Sequence, residues 1–303
     1  MKFLICSDGS APADKAIRLG ALIAAACGAE VTLLGIVESP GKTESILDAL
    51  RRGLQLLEEK KIHAELVTIT GDPIVEIVKR TEEVHFDMVV IGAARKGTSG
   101  PFWISSKAYK IIKSIRPAVL VVLEKTTAIK RILICTSGQK YTESAIALTG
   151  QIARGTQASV TLFHVLPEPP AMYARLHRLE MNVASVLNSK SELGRNLREQ
   201  KHTLETLKAP TEVKLRQGSV LHEIHREIET GNYDLVVSGS SLSRGSLRTY
   251  VLGDVTREIV NRSNCAVLVV RAGIKTEGIF QSLTGWFDRI AHPAKTAKSS
   301  IRK

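Results

Sequence analysis

The sequence has no apolar stretch long enough to cross a membrane. Its longest nearly uncharged apolar run covers residues 19–29, and a transmembrane helix needs roughly 20 such residues. The first ten residues, MKFLICSDGS, reach Asp8 too early for a secretory signal peptide. The four cysteines lie in apolar surroundings, which is typical of buried thiols in a reducing compartment. We therefore expect a cytoplasmic protein.

Aromatic residues are also scarce. They make up 4% of the chain, which leaves little for stacking on nucleic acid bases. The formal net charge is +12, and residues 273–303 contribute a third of that excess. A basic excess placed in a tail is not the pattern of a nucleic-acid-binding body, so no nucleic acid partner is expected. With 303 residues, 44% hydrophobic, the chain is long and apolar enough for two globular domains.

The chain repeats itself. The tripeptide that ends at Cys6 recurs at Cys135, an offset of 129 residues, whereas Asp87 recurs as Asp234 at an offset of 147. The run AVLVV, which starts at Ala118, recurs 148 residues later. Several matches in the same order indicate a duplicated domain, with an insertion of 18 residues in the second copy between its second and third strands.

Strands and helices alternate in each copy. In the first copy Pro12 is predicted to open a helix that stops at Gly28, residues 43–61 to form a second helix, and residues 86–91 to form the fourth strand. Such alternation predicts an α/β fold of two tandem doubly wound, Rossmann-like parallel sheets of five strands each, packed as an intramolecular pseudo-dimer. The predicted domains are 1–126 and 127–272, followed by a tail, 273–303.

Two stretches have the pattern of a phosphate-binding loop. Residues 87–106, DMVVIGAARKGTSGPFWISS, and residues 234–254, DLVVSGSSLSRGSLRTYVLGD, each run from a buried strand through a small-residue loop into a helix. Backbone N–H groups and a helix N-terminus can hold an anion at such a loop. After the first loop, Ala108, Ile111 and Ile115 fall on one helix face, and Lys107 is expected to turn away from it.

These motifs resemble the universal stress protein family in a tandem two-domain form. The resemblance rests on Asp8-Gly9-Ser10 after the first strand, on the Gly71-Asp72-Pro73 turn, and on the strand, glycine loop and helix that end in NCAVLVV. It implies an adenine nucleotide alpha hydrolase-like fold and, in some members, a pocket for ATP or AMP, with Mg²⁺ accompanying ATP. It implies a stress-response regulator or sensor rather than an enzyme of ordinary turnover. A homodimer is a further expectation.

The family's nucleotide motif is incomplete in both copies. Its pattern is glycine, two residues, glycine, nine residues, glycine and Ser/Thr. The first copy places Arg95 and Ser105 at the second and third glycines; Arg95 either contacts a phosphate or covers the pocket. The candidate nucleotide-binding residues of the first copy are Asp8, Gly9, Ser10, Ile36, Gly92, Arg95, Gly97, Ser105 and Ser106.

The second copy has the weaker candidate site. Asp254 stands at the hydroxyl position, where its carboxylate would repel phosphate unless a metal ion intervened, so a first-turn acid of the next helix is the preferred interpretation. Ser137 replaces the aspartate of the opening loop. The counterpart residues are Ser137, Val165, Gly239, Ser243, Gly245, Gly253 and Asp254.

An alternative function is a nucleotide-free interaction protein. Residues 174–208, predicted to form one or two long helices, or the tail would then contact a protein partner or a membrane surface. Apolar residues of the tail recur at helical spacing ahead of a basic end. Packing of that helix on its own domain or on a second subunit is favoured over membrane contact. His222 and His225 are interpreted as a solvated helix face rather than a metal site.

Overall fold

The computed structural model describes residues 1–39, 41, 43–94, 105–123, 126–139, 143–168, 182–240 and 253–271. In the first half the elements are β1 (Lys2–Ser7), α1 (Ala11–Cys27), β2 (Glu30–Val37), α2 (Thr43–Glu59), β3 (Ala64–Thr70), α3 (Pro73–Glu83), β4 (Met88–Gly92), α4 (Ser106–Ser114) and β5 (Ala118–Val122). In the second half they are β6 (Arg131–Cys135), α5 (Glu143–Thr156), β7 (Ser159–Leu166), α6 (Val183–Asn188), α7 (Glu192–Thr206), β8 (Thr211–Gln217), α8 (Val220–Gly231), β9 (Leu235–Ser240), α9 (Asp254–Arg262) and β10 (Ala266–Arg271).

The two halves share one sheet of ten strands in the order β3-β2-β1-β4-β5-β10-β9-β6-β7-β8. Within each half all pairings are parallel. The halves meet where β5 pairs antiparallel with β10, Leu120 opposite Leu268. This confirms the predicted α/β fold of two doubly wound halves, and it adds that the pseudo-dimer is one continuous sheet. Because the junction is antiparallel, the carboxyl ends of the strands lie on opposite edges of the sheet in the two halves.

Helices cover both faces of the sheet. One core cluster joins α1, α2, α5 and α7 to one face, and a second joins α3, α4, α8 and α9 to the other. The central strands are buried on both sides; β5 and β10 have every residue buried. This is why their sequences, apart from the buried Arg271 that ends β10, are continuous apolar runs instead of alternating patterns.

Local signals place the helices where the sequence predicts them, within a few residues. The side chain of Ser10 caps α1 and Gly28 ends it with φ +61°. The helix begins one residue before Pro12. The predicted helix over 43–61 ends at Glu59, because Lys61 takes a positive φ of 58°. The predicted strand over 86–91 begins two residues later, at Met88.

The described part of the inserted segment contains two helices. Of the predicted 174–208 segment, residues 182–208 are described, and they contain the short α6 and the fifteen-residue α7. Ser191 caps α7 through a hydrogen bond from the amide of Gly194. Residues 174–181 and the tail 273–303 lie outside the described residues.

The helices α1 and α5 pack together across the boundary between the halves. They approach closely at Gly155, where an ideal Cβ would lie 2.2 Å from the carbonyl oxygen of Ala26. The Cys27 thiol also donates to the backbone carbonyl of Gln151, 3.8 Å away. The small residue at position 155 therefore permits the closest contact of the two helices.

We expect Gly155→Ala to destabilise the protein. In a helix this change by itself stabilises by up to about 1 kcal/mol, whereas overlap of the new Cβ with the Ala26 carbonyl costs roughly 1–3 kcal/mol. The steric cost should prevail, and denaturant unfolding measures the balance. Gly41→Ala, where nothing lies within 4 Å of the new Cβ, is the control. A Gly155→Ala protein more stable than wild type would contradict the close approach.

Glu227 on α8 is the buried centre of a charged cluster. Its carboxylate accepts hydrogen bonds from Lys214 Nζ at 2.7 Å, Arg216 Nη2 at 3.0 Å and Tyr233 Oη at 2.7 Å. Burial acts to raise the pKa of Glu227, but the hydrogen bonds from Lys214 and Tyr233 outweigh it and lower the pKa below its ordinary value of about 4.5. The ionised carboxylate therefore stabilises the fold.

We expect Glu227→Gln to destabilise the protein at neutral pH by about 1–3 kcal/mol, because it weakens charge-assisted hydrogen bonds in a buried site. The contribution of Glu227 is present above about pH 4.5 and is lost as the pH falls through its lower folded-state pKa. The gap between the two proteins should therefore narrow in acid. Denaturant unfolding as a function of pH tests this, with the exposed Glu229→Gln as control. A gap independent of pH would rule it out.

Candidate functional site

The first half has a cleft at the carboxyl ends of β1 and β4, where the strand order reverses. Ligands in doubly wound folds bind at this switch point. The cleft has a volume of about 110 Å³. It is lined by Cys6, Ser7, Asp8, Ala13, Ile36, Glu38, Pro73, Ile77, Ile91, Gly92, Ser105, Lys107, Ala108 and Ile111. The structure thus brings Asp8, Ile36, Gly92 and Ser105, all named from the sequence, to one place.

The walls of this first cleft are apolar and its mouth is polar. Ile36, Ile91 and Ile111 are almost fully buried, whereas Asp8 is exposed. Asp8 Oδ1 accepts a hydrogen bond from the amide of Ser10, 3.0 Å away. This is a local turn contact, so the helix cap of α1 is Ser10 and not Asp8. The other carboxylate oxygen of Asp8 can accept a hydrogen bond from a ligand.

The N-terminus of α4 forms one side of the mouth. Ser105 is the N-cap, and its hydroxyl accepts from the amide of Ala108 at 3.3 Å. Ser106 is the first residue of the helix. The amides of the first helical turn have no partner within the helix, and together with the helix dipole they favour an anion. The described residues thus place a helix N-terminus beside the cleft; that it binds phosphate stays a prediction.

Lys107 is exposed and lies off the buried face of α4, as predicted. It also lines the cleft, and its Nζ lies 2.5 Å from Glu38 Oε1, a contact that the sequence analysis did not predict. Glu38 directly follows β2, so this ion pair joins the end of a strand to the first turn of α4. The sequence holds a weak signal for it: both residues sit just past the carboxyl edge of the sheet, where the ends of parallel strands come together.

Gly92 has a packing role in the first cleft. An ideal Cβ at this position would lie 2.1 Å from the carbonyl oxygen of Pro12. Since that overlap is with backbone at the start of α1, no side chain fits without moving the helix. The glycine therefore lets the end of β4 approach the N-terminus of α1 and shapes the floor of the cleft.

Cys6 is the thiol nearest this site. It is buried at the end of β1, and burial raises its pKa well above the ordinary range. Its counterpart Cys135, at the end of β6, has its pKa raised to about 12 by burial, with Glu227 and Cys265 adding to the effect. Both thiols are therefore protonated and poorly nucleophilic at neutral pH.

The corresponding loop of the second half is tied to α7. Asn196 Nδ2 donates to the carbonyl of Gly138 at 2.9 Å, and the Thr136 hydroxyl donates to Gln200 Oε1 at 2.9 Å. Gln200 Nε2 donates to the carbonyl of Gln139 at 3.3 Å. These side chains of Asn196, Gln200 and Thr136 are buried. The loop that in the first half carries Asp8 is thus held against a helix.

Other positions of the second candidate site also contact residues of the protein itself. At Gly138 an ideal Cβ would lie 2.3 Å from Leu193 Cδ1, so α7 packs directly over the loop. The Thr256 hydroxyl donates to the carbonyl of Gly239 at 3.0 Å and bonds the Ser238 hydroxyl at 2.9 Å. The equivalent first-half positions are Ile91 and Ala108, which line the first cleft.

Asp254 is an acidic residue in the first turn of the next helix, which is the interpretation preferred from the sequence. It is the first residue of α9, after the N-cap Gly253; its side chain is 83% exposed and pairs with Arg257 at 3.3 Å. Ser137 is exposed in its loop, and Val165 is buried in β7. Arg95, Gly97, Ser243 and Gly245 lie outside the described residues.

Comparison with known proteins decides the family. A model of the universal stress protein family matches the chain twice, at residues 1–122 and 128–271. The chain belongs to the universal stress protein family. No curated protein matches it significantly.

Solved structures share the fold of this universal stress protein. A universal stress protein from Archaeoglobus fulgidus DSM 4304 has a TM-score of 0.68 at 17% identity, covering 90% of this chain and 98% of its own. A functionally unknown protein from Pseudomonas aeruginosa PAO1 has a TM-score of 0.64 at 14% identity, covering 95% and 97%. A universal stress protein in complex with cAMP covers 42% of this chain and 98% of its own, at 17% identity and a TM-score of 0.35.

The structure of this universal stress protein bears on two features considered from the sequence, a histidine metal site and a membrane-spanning helix. His222 is 73% exposed, and desolvation and the nearby Arg262 lower the pKa of the half-buried His225. Within the described residues, no group of three or more His, Cys, Asp or Glu side chains could hold a metal ion. In the same part of the chain, no helix is both long and apolar enough for a membrane span.

We expect Asn196→Ala to loosen the loop of the second half. The change removes a buried hydrogen bond to Gly138 and should cost about 1–3 kcal/mol in the free energy of unfolding. It should also speed amide hydrogen exchange at residues 136–139. His202→Ala, an exposed change on the same helix, is the matched control. Exchange at 136–139 as slow as in wild type would show that α7 does not hold the loop.

Proposed function

We propose that the first half of this universal stress protein binds an adenine nucleotide, and that the protein is a non-catalytic, cytoplasmic regulator or sensor in a stress response. The observation that carries the proposal is the first cleft. It combines an apolar slot with a polar mouth and a helix N-terminus at the switch point of the sheet.

The slot suits the base of a nucleotide. Ile36, Ile91 and Ile111 offer apolar surface for a flat ring, and the exposed carboxylate of Asp8 offers an acceptor for an amino or hydroxyl donor of the base or ribose. The volume of about 110 Å³ is below the roughly 300–1,000 Å³ of sites that enclose a whole ligand. We therefore place only part of the nucleotide inside and its phosphates at the mouth.

The mouth suits phosphate. The first-turn amides of α4 and the ammonium group of Lys107 lie on its rim. Lys107 is paired with Glu38, and their side chains are 53% and 31% exposed. An ion pair this exposed contributes only about 0–1 kcal/mol, so a phosphate group can replace the Glu38 carboxylate at little cost.

Chemistry beyond binding lacks support in this cleft. Its one thiol, Cys6, is buried and has a raised pKa, and no histidine is among the residues found to line the cleft. A nucleophile without a base to activate it does not support turnover. In the second half, the loop is held by Asn196 and Gln200, so we propose one nucleotide site in each chain.

We expect ATP and AMP to bind the wild-type protein with one site per chain. Asp8→Ala should weaken binding at least tenfold, because the substitution removes a charge-assisted hydrogen bond, worth about 1.5–3 kcal/mol. Isothermal titration calorimetry measures the affinity, and titrations of ATP with and without Mg²⁺ separate the contribution of the ion. The matched control is Ser137→Ala, the equivalent position of the second half, which should bind as wild type does.

A second pair of variants tests the phosphate end of the same site. Lys107→Gln should weaken ATP more than AMP, whereas Lys110→Gln, one turn further along α4, should change neither. Absence of binding at millimolar ATP and AMP would refute the proposal. Equal loss in Asp8→Ala and Ser137→Ala would instead move the site away from the first cleft.

A further inference from the structure

A second cavity of the first half lies away from the nucleotide cleft. It has a volume of about 200 Å³ and is lined by Lys15, Arg18, Leu22, Leu56, Lys60, Thr126 and Thr127. None of these residues lines the first cleft. The cavity is bounded by α1, by the end of α2 and by residues 126–127, which precede β6. We call it the basic cavity.

The basic cavity has cations on its rim and apolar surface beneath them. Lys15, Arg18 and Leu22 are spaced by three and four residues, so they share one face of α1, and Leu56 and Lys60 are spaced by four. Leu22 and Leu56 are half-buried and pack against the core. Among the described residues that line it, three are basic and none is acidic.

Two of the cations form no ion pair with a described residue. Within the described parts of the chain, neither Arg18 nor Lys60 forms a salt bridge; the nearest acid on the same face of α1, Asp14, pairs with Arg52 at 3.6 Å. Both side chains are exposed at the rim. The hydroxyl groups of Thr126 and Thr127 add neutral donors on the other side of the cavity.

The duplicated half provides an internal comparison. At the offsets of the repeat, the positions of Lys15 and Arg18 hold Ser144 and Ala147, and the position of Lys60 holds Leu207. The second half keeps the same two helices, as α5 and α7, without the three cations. The fold itself therefore does not require a basic group at any of these positions.

We propose that the basic cavity binds a small anion bearing phosphate groups, independently of the nucleotide cleft. Guanidinium and ammonium groups are the side chains that recognise phosphate, and Arg18 supplies a planar donor pair while Lys60 supplies a point charge. The volume of about 200 Å³ lies below the range of sites for drug-sized ligands, which selects a compact anion. The threonine hydroxyls complete the donor set.

The test is calorimetric titration of the full chain with inorganic pyrophosphate as the probe. The variant Arg18→Gln/Lys60→Gln removes two charges at exposed positions. It should weaken binding by tenfold or more, since each charge-assisted contact to phosphate is worth about a factor of ten. The matched control Lys79→Gln/Lys208→Gln removes two exposed lysines elsewhere and should bind as wild type does. Binding should also weaken as the salt concentration rises.

Asp8→Ala and Lys107→Gln separate this site from the nucleotide cleft. Both should retain pyrophosphate binding even where they lose ATP. The proposal is overturned if the wild-type protein does not bind pyrophosphate, if Arg18→Gln/Lys60→Gln and its control bind equally, or if Lys107→Gln abolishes the signal. Loss of the signal in Lys107→Gln would place pyrophosphate in the first cleft and so favour the nucleotide proposal, whereas the other two outcomes do not bear on ATP binding there, so the two proposals fail separately.

Discussion

The antiparallel pairing of β5 with β10 is the contact on which the rest of the molecule depends. Three residues of each strand face one another, Val119 to Val121 against Val267 to Val269, and all are fully buried. The pairing leaves neither half with an open edge at its fifth strand, where an apolar strand would otherwise be exposed to other chains. It also brings α1 and α5 together on one face, where Gly155 admits the Ala26 carbonyl. The remaining edges, β3 and β8, carry exposed and charged residues.

The two halves use one fold for different local chemistry. In the first, the loop after β1 is held by its own short contacts, and the Glu38–Lys107 pair crosses the mouth of an apolar slot. In the second, the buried side-chain amide of Asn196 on α7 binds the equivalent loop. A hydrogen bond between Ser238 and Thr256 stands where the first half has the apolar pair Ile91 and Ala108. The described residues thus form a cleft in the first half, whereas in the second the equivalent loop is bound to α7.

Much of this architecture follows from the sequence alone. Buried parallel strands are continuous β-branched runs, and caps such as Ser10 and Gly28 mark the helix ends, so the fold and most boundaries can be predicted. The domain limits at residues 126 and 272 stay a prediction. The site was predictable only in outline: Asp8 and Gly92 follow strands, and helical periodicity places Lys107 off the buried face of α4, but its ion pair was not predicted. Its partner, Glu38, is 69 residues away, and no local pattern encodes a contact between the ends of two different elements.

The antiparallel junction also makes the two rims of the sheet, at which the strands end, different from each other. Since strands of the two halves run in opposite directions, the first cleft opens on one rim of the sheet and its counterpart lies on the other. In a dimer of identical single domains, a symmetry axis would make the two rims equivalent. Here the duplicated chain has diverged, so the strand ends of the two halves present different residues on the two rims, Asp8 on one and Ser137 on the other. A partner that contacted one rim would therefore not find the same residues on the other.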